Sequence, residues 1–179
     1  DPHHPWDPPS SELGRVNWRD LDLPAAYPTT PDARRRVLEG KPRHWIEYYE
    51  GAHSNLEGGP PDFVPENMTA DQVREVNAFT HIENELIDEA LGRVLRRVDE
   101  RGWGADTDVI FTTDHGELQG DFGLLFKGPY HCDALMRLPM IWRPARSAGV
   151  AAAVVEEPVG QLDLAPTFCA IAGVPVPSW

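Results

Sequence analysis

The sequence predicts an α/β fold, and three observations predict it. An amphipathic pattern of helix length runs from Val73 to Val98; an apolar run too short for a helix, Val109-Ile110-Phe111, comes soon after it; Gly102 and Gly104 separate the two. A long helix feeding a strand is the unit from which α/β layers are built.

Residues 1 to about 65 are rich in Pro and Gly and poor in periodic apolar runs, which predicts long ordered loops. Two short helices interrupt them, one over Asp32 to Glu39 and one around Trp45 to Tyr49, and the aromatic group Trp45, Tyr48 and Tyr49 is expected to pack on the body of the domain. Pro60-Pro61 breaks the chain ahead of the next element. Thr69 then stands as N-cap three positions ahead of Gln72, the reciprocal pairing of a capping box. Apolar residues from Val73 through Ile82, Leu86 and Leu91 to Val98 recur every three or four positions, giving one long helix or two in line, ended by Gly102 and Gly104. A strand over 108–112 comes next. Leu138 to Trp142 is a second strand, with Pro139 confined near its start or to an edge. Val150 to Val155 is expected as a third, exposed strand, and Leu162 to Ala172 as a helix closed by Gly173.

With 179 residues, 41% apolar and 25% charged, the chain can bury one core, so one domain or a large part of one is expected, with 1–65 as its loop-rich segment and 66–179 as its helix-strand core portion. No apolar run approaches the roughly 20 residues of a membrane-spanning helix. A net charge of −13 excludes the basic stripe of a nucleic-acid-binding surface, but a local cation can still hold an anionic small molecule. Cys132 and Cys169 are too few and too distant for a disulfide framework or zinc cluster and are expected reduced. The opening Asp1-Pro2-His3-His4-Pro5 has no initiator Met, basic region or apolar region, so the sequence reads as an internal piece of a longer protein.

The chemistry concentrates after the first strand, in Thr112-Thr113-Asp114-His115-Gly116-Glu117, then Asp121-Phe122-Gly123 and Lys127-Gly128. A carboxylate and an imidazole leave the carboxyl end of a strand together, where open α/β sheets carry their sites. Asp114 offers a divalent cation a hard oxygen and His115 a borderline nitrogen. Lys127 adds a compact positive charge, one of only two lysines in the chain, the other being Lys41. Together they read as metal-assisted hydrolysis of an anionic ester. The plainer alternatives are that Asp114 caps local N–H groups and that Lys127 is a solvated surface lysine. His4, Glu117 and Asp121 are read as structural or loop-ordering groups, Arg137 as a partner of Asp133, and His44, His53 and His81 as ordinary histidines.

These residues carry a family resemblance. Thr113-Asp114-His115-Gly116-Glu117, Gly120-Asp121, Gly123-Leu124, Lys127-Gly128, Asp133, Arg137 and Pro139 resemble the carboxy-terminal signature of the sulfatase family, within the alkaline-phosphatase-like superfamily. Pro2-His3-His4-Pro5 is similar to that family's Pro-His-x-Pro segment, and Asp163-Leu164-Ala165-Pro166-Thr167 also fits its order of elements. The resemblance implies an incomplete alkaline-phosphatase-like sandwich, a mostly parallel or mixed sheet between helices, with 1–65 on the substrate side. It implies Asp114 and His115 as metal ligands, Lys127 as a clamp on sulfate oxygens and His3 as general acid. His131, four residues past Lys127, is a candidate substrate contact by position, with packing or hydrogen bonding as the plainer reading. The implied cofactor is a divalent metal, Ca2+ first and Mn2+, Mg2+ or Zn2+ as alternatives; the implied partner is a small anionic sulfate ester.

The sequence departs from the family pattern: the formylglycine motif and the adjacent Asp-Asp metal ligands implied near the family's amino terminus are both missing and are expected upstream. Neither Cys132, followed by Asp-Ala-Leu-Met-Arg, nor Cys169, followed by Ala-Ile-Ala-Gly, opens a formylglycine motif, so that nucleophile is expected upstream and the isolated chain is expected to lack useful turnover. A histidine after the aspartate, where many relatives have asparagine, keeps manganese or zinc and phosphate or phosphonate esters open. A catalytically inactive anion-binding module is the alternative from outside the enzyme class.

Overall fold

The computed structural model describes residues 3–52 and 63–178. His53, the Pro60-Pro61 pair and Pro2 lie outside the described residues.

Helix α1 spans Pro31–Leu38. The Thr30 hydroxyl accepts from the Ala33 N–H at 3.1 Å, and Pro31 enters where a helix has no use for its amide hydrogen. Helix α2, Arg43–Tyr49, buries Trp45, Tyr48 and Tyr49 as the sequence predicts. Helix α3, Ala70–Glu100, is one continuous element of 31 residues, roughly 46 Å long at 1.5 Å per residue. Its capping box forms as expected: the Gln72 N–H donates to Thr69 Oγ1 at 3.2 Å, and the Thr69 N–H donates to Gln72 Oε1 at 2.9 Å. Only its first half is buried, through Val73, Asn77, Ala78, Thr80 and Ile82. Gly102 stops it in the left-handed region at φ 71°.

Strand β1, Val109–Thr112, pairs antiparallel with β2, Met140–Arg143, in the register Val109↔Arg143 to Thr112↔Met140. Between them lies the short helix α4, Asp133–Met136, and after them α5, Leu164–Ala172, ended by Gly173 at φ 66°. The class is therefore mixed helix and sheet, as predicted. The layered sandwich is not assembled by the described residues, whose sheet has two strands. Residues 150–155 correct the expectation of a third strand: they carry no regular structure and are exposed. An apolar, β-branched run becomes a strand only against a partner that takes its backbone hydrogen bonds, and none of the described strands lies beside it. β2 itself is exposed, with Ile141 at 64%.

The core lies beneath the loop after β1 rather than on the sheet. Leu118, Leu124, Leu125, Phe126, Tyr130 and Leu135 close onto Tyr27, Leu38, Trp45, Tyr48, Tyr49, Met68 and Val73. At about 25 cal/mol per Å2 of apolar surface removed from water, these aromatic and leucine side chains contribute roughly 2 kcal/mol each. Arg34, also buried, joins α1 to the entrance of α3 by donating to the Pro28 and Met68 carbonyls at 3.3 and 2.9 Å and to the Tyr27 hydroxyl. Residues 7–21 are tied along α3 by the Asp7 N–H to Glu83 Oε1 at 2.9 Å, Arg74 Nε to the Leu21 carbonyl at 3.0 Å, and Arg15 to Glu85 and Glu89. No helix among the described residues is long and apolar enough to cross a membrane.

Candidate functional site

The turn after β1 is built by its own polar groups. Thr113 Oγ1 donates to the His115 carbonyl at 3.0 Å, and the His115 N–H donates to Asp114 Oδ1 at 3.1 Å. Gly116 then passes so close to α4 that a Cβ would sit 1.9 Å from the Ala134 carbonyl oxygen, while its N–H donates to Leu135 O at 2.9 Å. Only glycine allows that approach. Two further closures, Leu118 N–H to Phe126 O at 3.0 Å and Gly120 N–H to Leu124 O at 2.8 Å, fold residues 118–126 back on themselves.

This geometry sends Asp114 and His115 to one side. Asp114 Oδ1 lies 3.8 Å from His115 Nε2, with the two side chains 84% and 40% exposed. His115 Nδ1 is 2.9 Å from the Gly116 carbonyl, which can only accept; Nδ1 therefore carries the proton and Nε2 the lone pair. A backbone carbonyl on the second nitrogen is the usual support of a metal-ligating imidazole. The backbone N–H of Asp114 itself holds its carboxyl below the usual range, against an opposing effect of burial and with lesser help from His115 and the Thr113 hydroxyl, so it is ionised at neutral pH. The pair fits a divalent cation by donor type. No group of three or more His, Cys, Asp or Glu side chains converges among the described residues.

A second pair forms 124 positions apart in sequence. Lys127 Nζ lies 2.8 Å from His3 Nε2. His3 Nδ1 lies 2.6 Å from the His4 carbonyl, which again fixes the proton on Nδ1 and leaves Nε2 to accept from the ammonium. His4 itself is buried, stacked on His3 at 4.3 Å between ring centres. Beside His3 opens a cleft of about 420 Å3 lined also by Pro5, Glu83, Leu86 and Ile87. Burial raises the Glu83 carboxyl above its ordinary value, partly offset by the Asp7 N–H.

Of the residues singled out from sequence, Asp114 and His115 thus form one pair and His3 and Lys127 another. His131 is exposed and forms no hydrogen bond among the described residues. The expected pairing of Arg137 with the Asp133 carboxylate does not form among the described residues; the two meet only through the backbone, the Arg137 N–H donating to the Asp133 carbonyl at 2.9 Å as α4 ends. Asp121 is half-buried, and burial raises its carboxyl. Sequence reasoning missed Gln161: its Nε2 donates to the Thr113 and Asp114 carbonyls at 2.7 and 2.9 Å, pinning the turn from just ahead of α5. Its position two residues before Asp163-Leu164-Ala165-Pro166-Thr167 was the available signal.

Comparison with known proteins bears on the segment that carries Asp114, His115 and Lys127. The family model described as Sulfatase matches residues 28–174. The chain is 35% identical over 96 residues to a protein of Escherichia coli K12 described as "Uncharacterized sulfatase YidJ", covering 52% of this chain and 18% of that protein. It is 39% identical over 82 residues to the multifunctional alkaline phosphatase superfamily protein PehA of Trinickia caryophylli, 46% of this chain and 16% of that one. Arylsulfatase K of Danio rerio is 28% identical over 168 residues, 91% of this chain and 27% of its own length. The chain thus spans less than a third of each of these relatives.

Proposed function

Because the chain belongs to the sulfatase family, we propose that it supplies the cation-holding turn and the anion clamp of a metal-dependent sulfuric ester hydrolase. The observation that carries this is the His3–Lys127 contact, which joins the chain's first imidazole to the lysine of its motif at 2.8 Å.

Asp114 and His115 Nε2 would hold the cation, with the remaining ligands and the formylglycine nucleophile coming from elsewhere in the full-length protein. Ca2+ is the first choice, with Mn2+, Mg2+ or Zn2+ open. Once bound, the cation would draw charge from the sulfate oxygens. Lys127 presents an ammonium to those oxygens, where negative charge builds up as the ester bond breaks. His3 serves the other end of that bond. Its Nδ1–H is committed to the His4 carbonyl, so a proton taken up at Nε2 is held there and can be handed to the departing alkoxide, giving the neutral alcohol. In the resting state the ammonium occupies that lone pair; an anionic ester draws it away. His131, four residues beyond Lys127, is assigned to the outer edge of the substrate.

The test is the full-length protein assayed on 4-nitrophenyl sulfate and 4-nitrophenyl phosphate. The proposal expects sulfate to be the better substrate and Lys127→Ala to lower kcat/KM on it about 10²–10³-fold, the usual cost of one donor to a developing oxyanion. An unchanged rate in Lys127→Ala contradicts it. The second reading, a phosphate or phosphonate monoester hydrolase, is favoured by the 39% identity to PehA and would appear as preference for the phosphate ester. No turnover of either ester would favour an inactive anion-binding module.

A further inference from the structure

Phe126 precedes Lys127 and has a backbone that a phenylalanine rarely adopts, with φ 68°. Gln119 and Phe122 in the same loop are also at positive φ, 47° and 58°. Non-glycine residues keep such angles only where their surroundings hold them there. The Phe126 ring is 4% exposed and fixed on three sides. Trp6 stacks on it at 5.1 Å with 7° between the planes, His4 meets it edge-on at 4.8 Å and Phe63 at 5.4 Å.

These contacts close a circuit. Phe126 sets the chain direction at Lys127; Lys127 reaches His3; His3 stacks on His4 and donates to its carbonyl; His4 abuts the Phe126 ring. The two groups assigned to the two ends of the scissile bond thus touch directly, and each is tied to one aromatic ring, Lys127 through the backbone and His3 through His4. We propose that Phe126 is a positioning residue, clamped by Trp6, that keeps the Lys127 ammonium and the His3 imidazole in register. The proposal rests on the reading of His3 as acid and Lys127 as anion clamp.

The rings touch no reacting atom, so the readout must separate positioning from simple loss of structure. A 4-nitrophenolate leaves without much help; an aliphatic alkoxide needs its proton. In the full-length protein, Phe126→Gly tolerates the left-handed backbone but removes the ring, and Trp6→Ala removes the clamp without altering residue 126. Both should lower kcat/KM for an alkyl sulfate at least tenfold more than for 4-nitrophenyl sulfate, because a small misplacement of a positioned group costs on the order of 10²-fold. Trp6→Phe, which retains a stacking face, should restore most of the alkyl sulfate rate. Equal losses on both esters, or no loss, overturn the proposal; should Phe126→Gly not fold, Trp6→Ala decides alone. His3→Ala and Lys127→Ala run beside them: loss of the acid should shift the ratio, and loss of the clamp on the shared sulfate oxygens should lower both rates alike. If His3→Ala shifts the ratio and the ring variants do not, the positioning role fails by itself; if His3→Ala leaves it unchanged, the underlying reading fails.

Discussion

Gln161→Ala is the perturbation that probes the metal-holding turn without touching either proposed ligand. The side-chain amide donates to the Thr113 and Asp114 carbonyls at 2.7 and 2.9 Å, so one substitution removes two hydrogen bonds from the backbone that carries Asp114. Such a bond contributes about 0.5–1.5 kcal/mol net, and because Gln161 is exposed and water can replace it, the lower figure applies to each. The sum, ~1 kcal/mol, corresponds to roughly a fivefold change in an equilibrium constant. If the turn must be ordered to bind, the divalent affinity of the full-length protein should fall by that factor. Calorimetric titration with Ca2+ and Mn2+ reads it, and hydrogen exchange over residues 113–116 should quicken in the metal-free protein. Affinity within twofold of wild type, with unchanged exchange, would refute the reasoning: the turn would then be held by the Thr113 hydroxyl and the Gly116–Leu135 closure without help.

The geometry sets two other outcomes. Gly116→Ala places a methyl 1.9 Å from the Ala134 carbonyl oxygen and should cost ~3 kcal/mol, the upper end for overpacking, read as a lowered urea midpoint; a midpoint equal to wild type would contradict the close approach. Asp121 has its carboxyl raised by burial, so its contribution is fully present below its unfolded pKa and is lost as pH rises through the folded one, where it must ionise in place. Asp121→Asn should therefore raise Tm at pH 7 and leave it unchanged near pH 3; a gain larger in acid would reverse that sign.

Local signals were legible in the sequence and long-range ones were not. The Thr69–Gln72 capping box and the Gly102 stop sit beside the helix they bound, and both appear where the residues predict them. The position of Asp114 and His115 at the end of β1 was equally legible, because strand, carboxylate and imidazole are contiguous. Residues 150–155 misled because β-branched and alanine-rich composition describes a side chain's fit to a sheet, whereas a strand exists only where a neighbour completes its hydrogen bonds. The loop's share of the core could not be read from periodicity: Leu118, Leu124, Leu125 and Phe126 are spaced by glycines and a folded-back loop, with period neither 2 nor 3.6. The His3–Lys127 and Gln161–Asp114 contacts join residues 124 and 47 positions apart, and nothing in residue spacing encodes them.

The central claim is that Asp114 and His115 grip one cation from the same side of the turn. An anomalous difference map from crystals of the full-length protein grown with Mn2+ measures that directly. The prediction is a peak ~2.0–2.6 Å from both the Asp114 carboxylate and His115 Nε2, the span of metal–ligand distances for these donors, and its loss in Asp114→Ala. A metal peak elsewhere in the protein, with these two side chains bound to water alone, would contradict it.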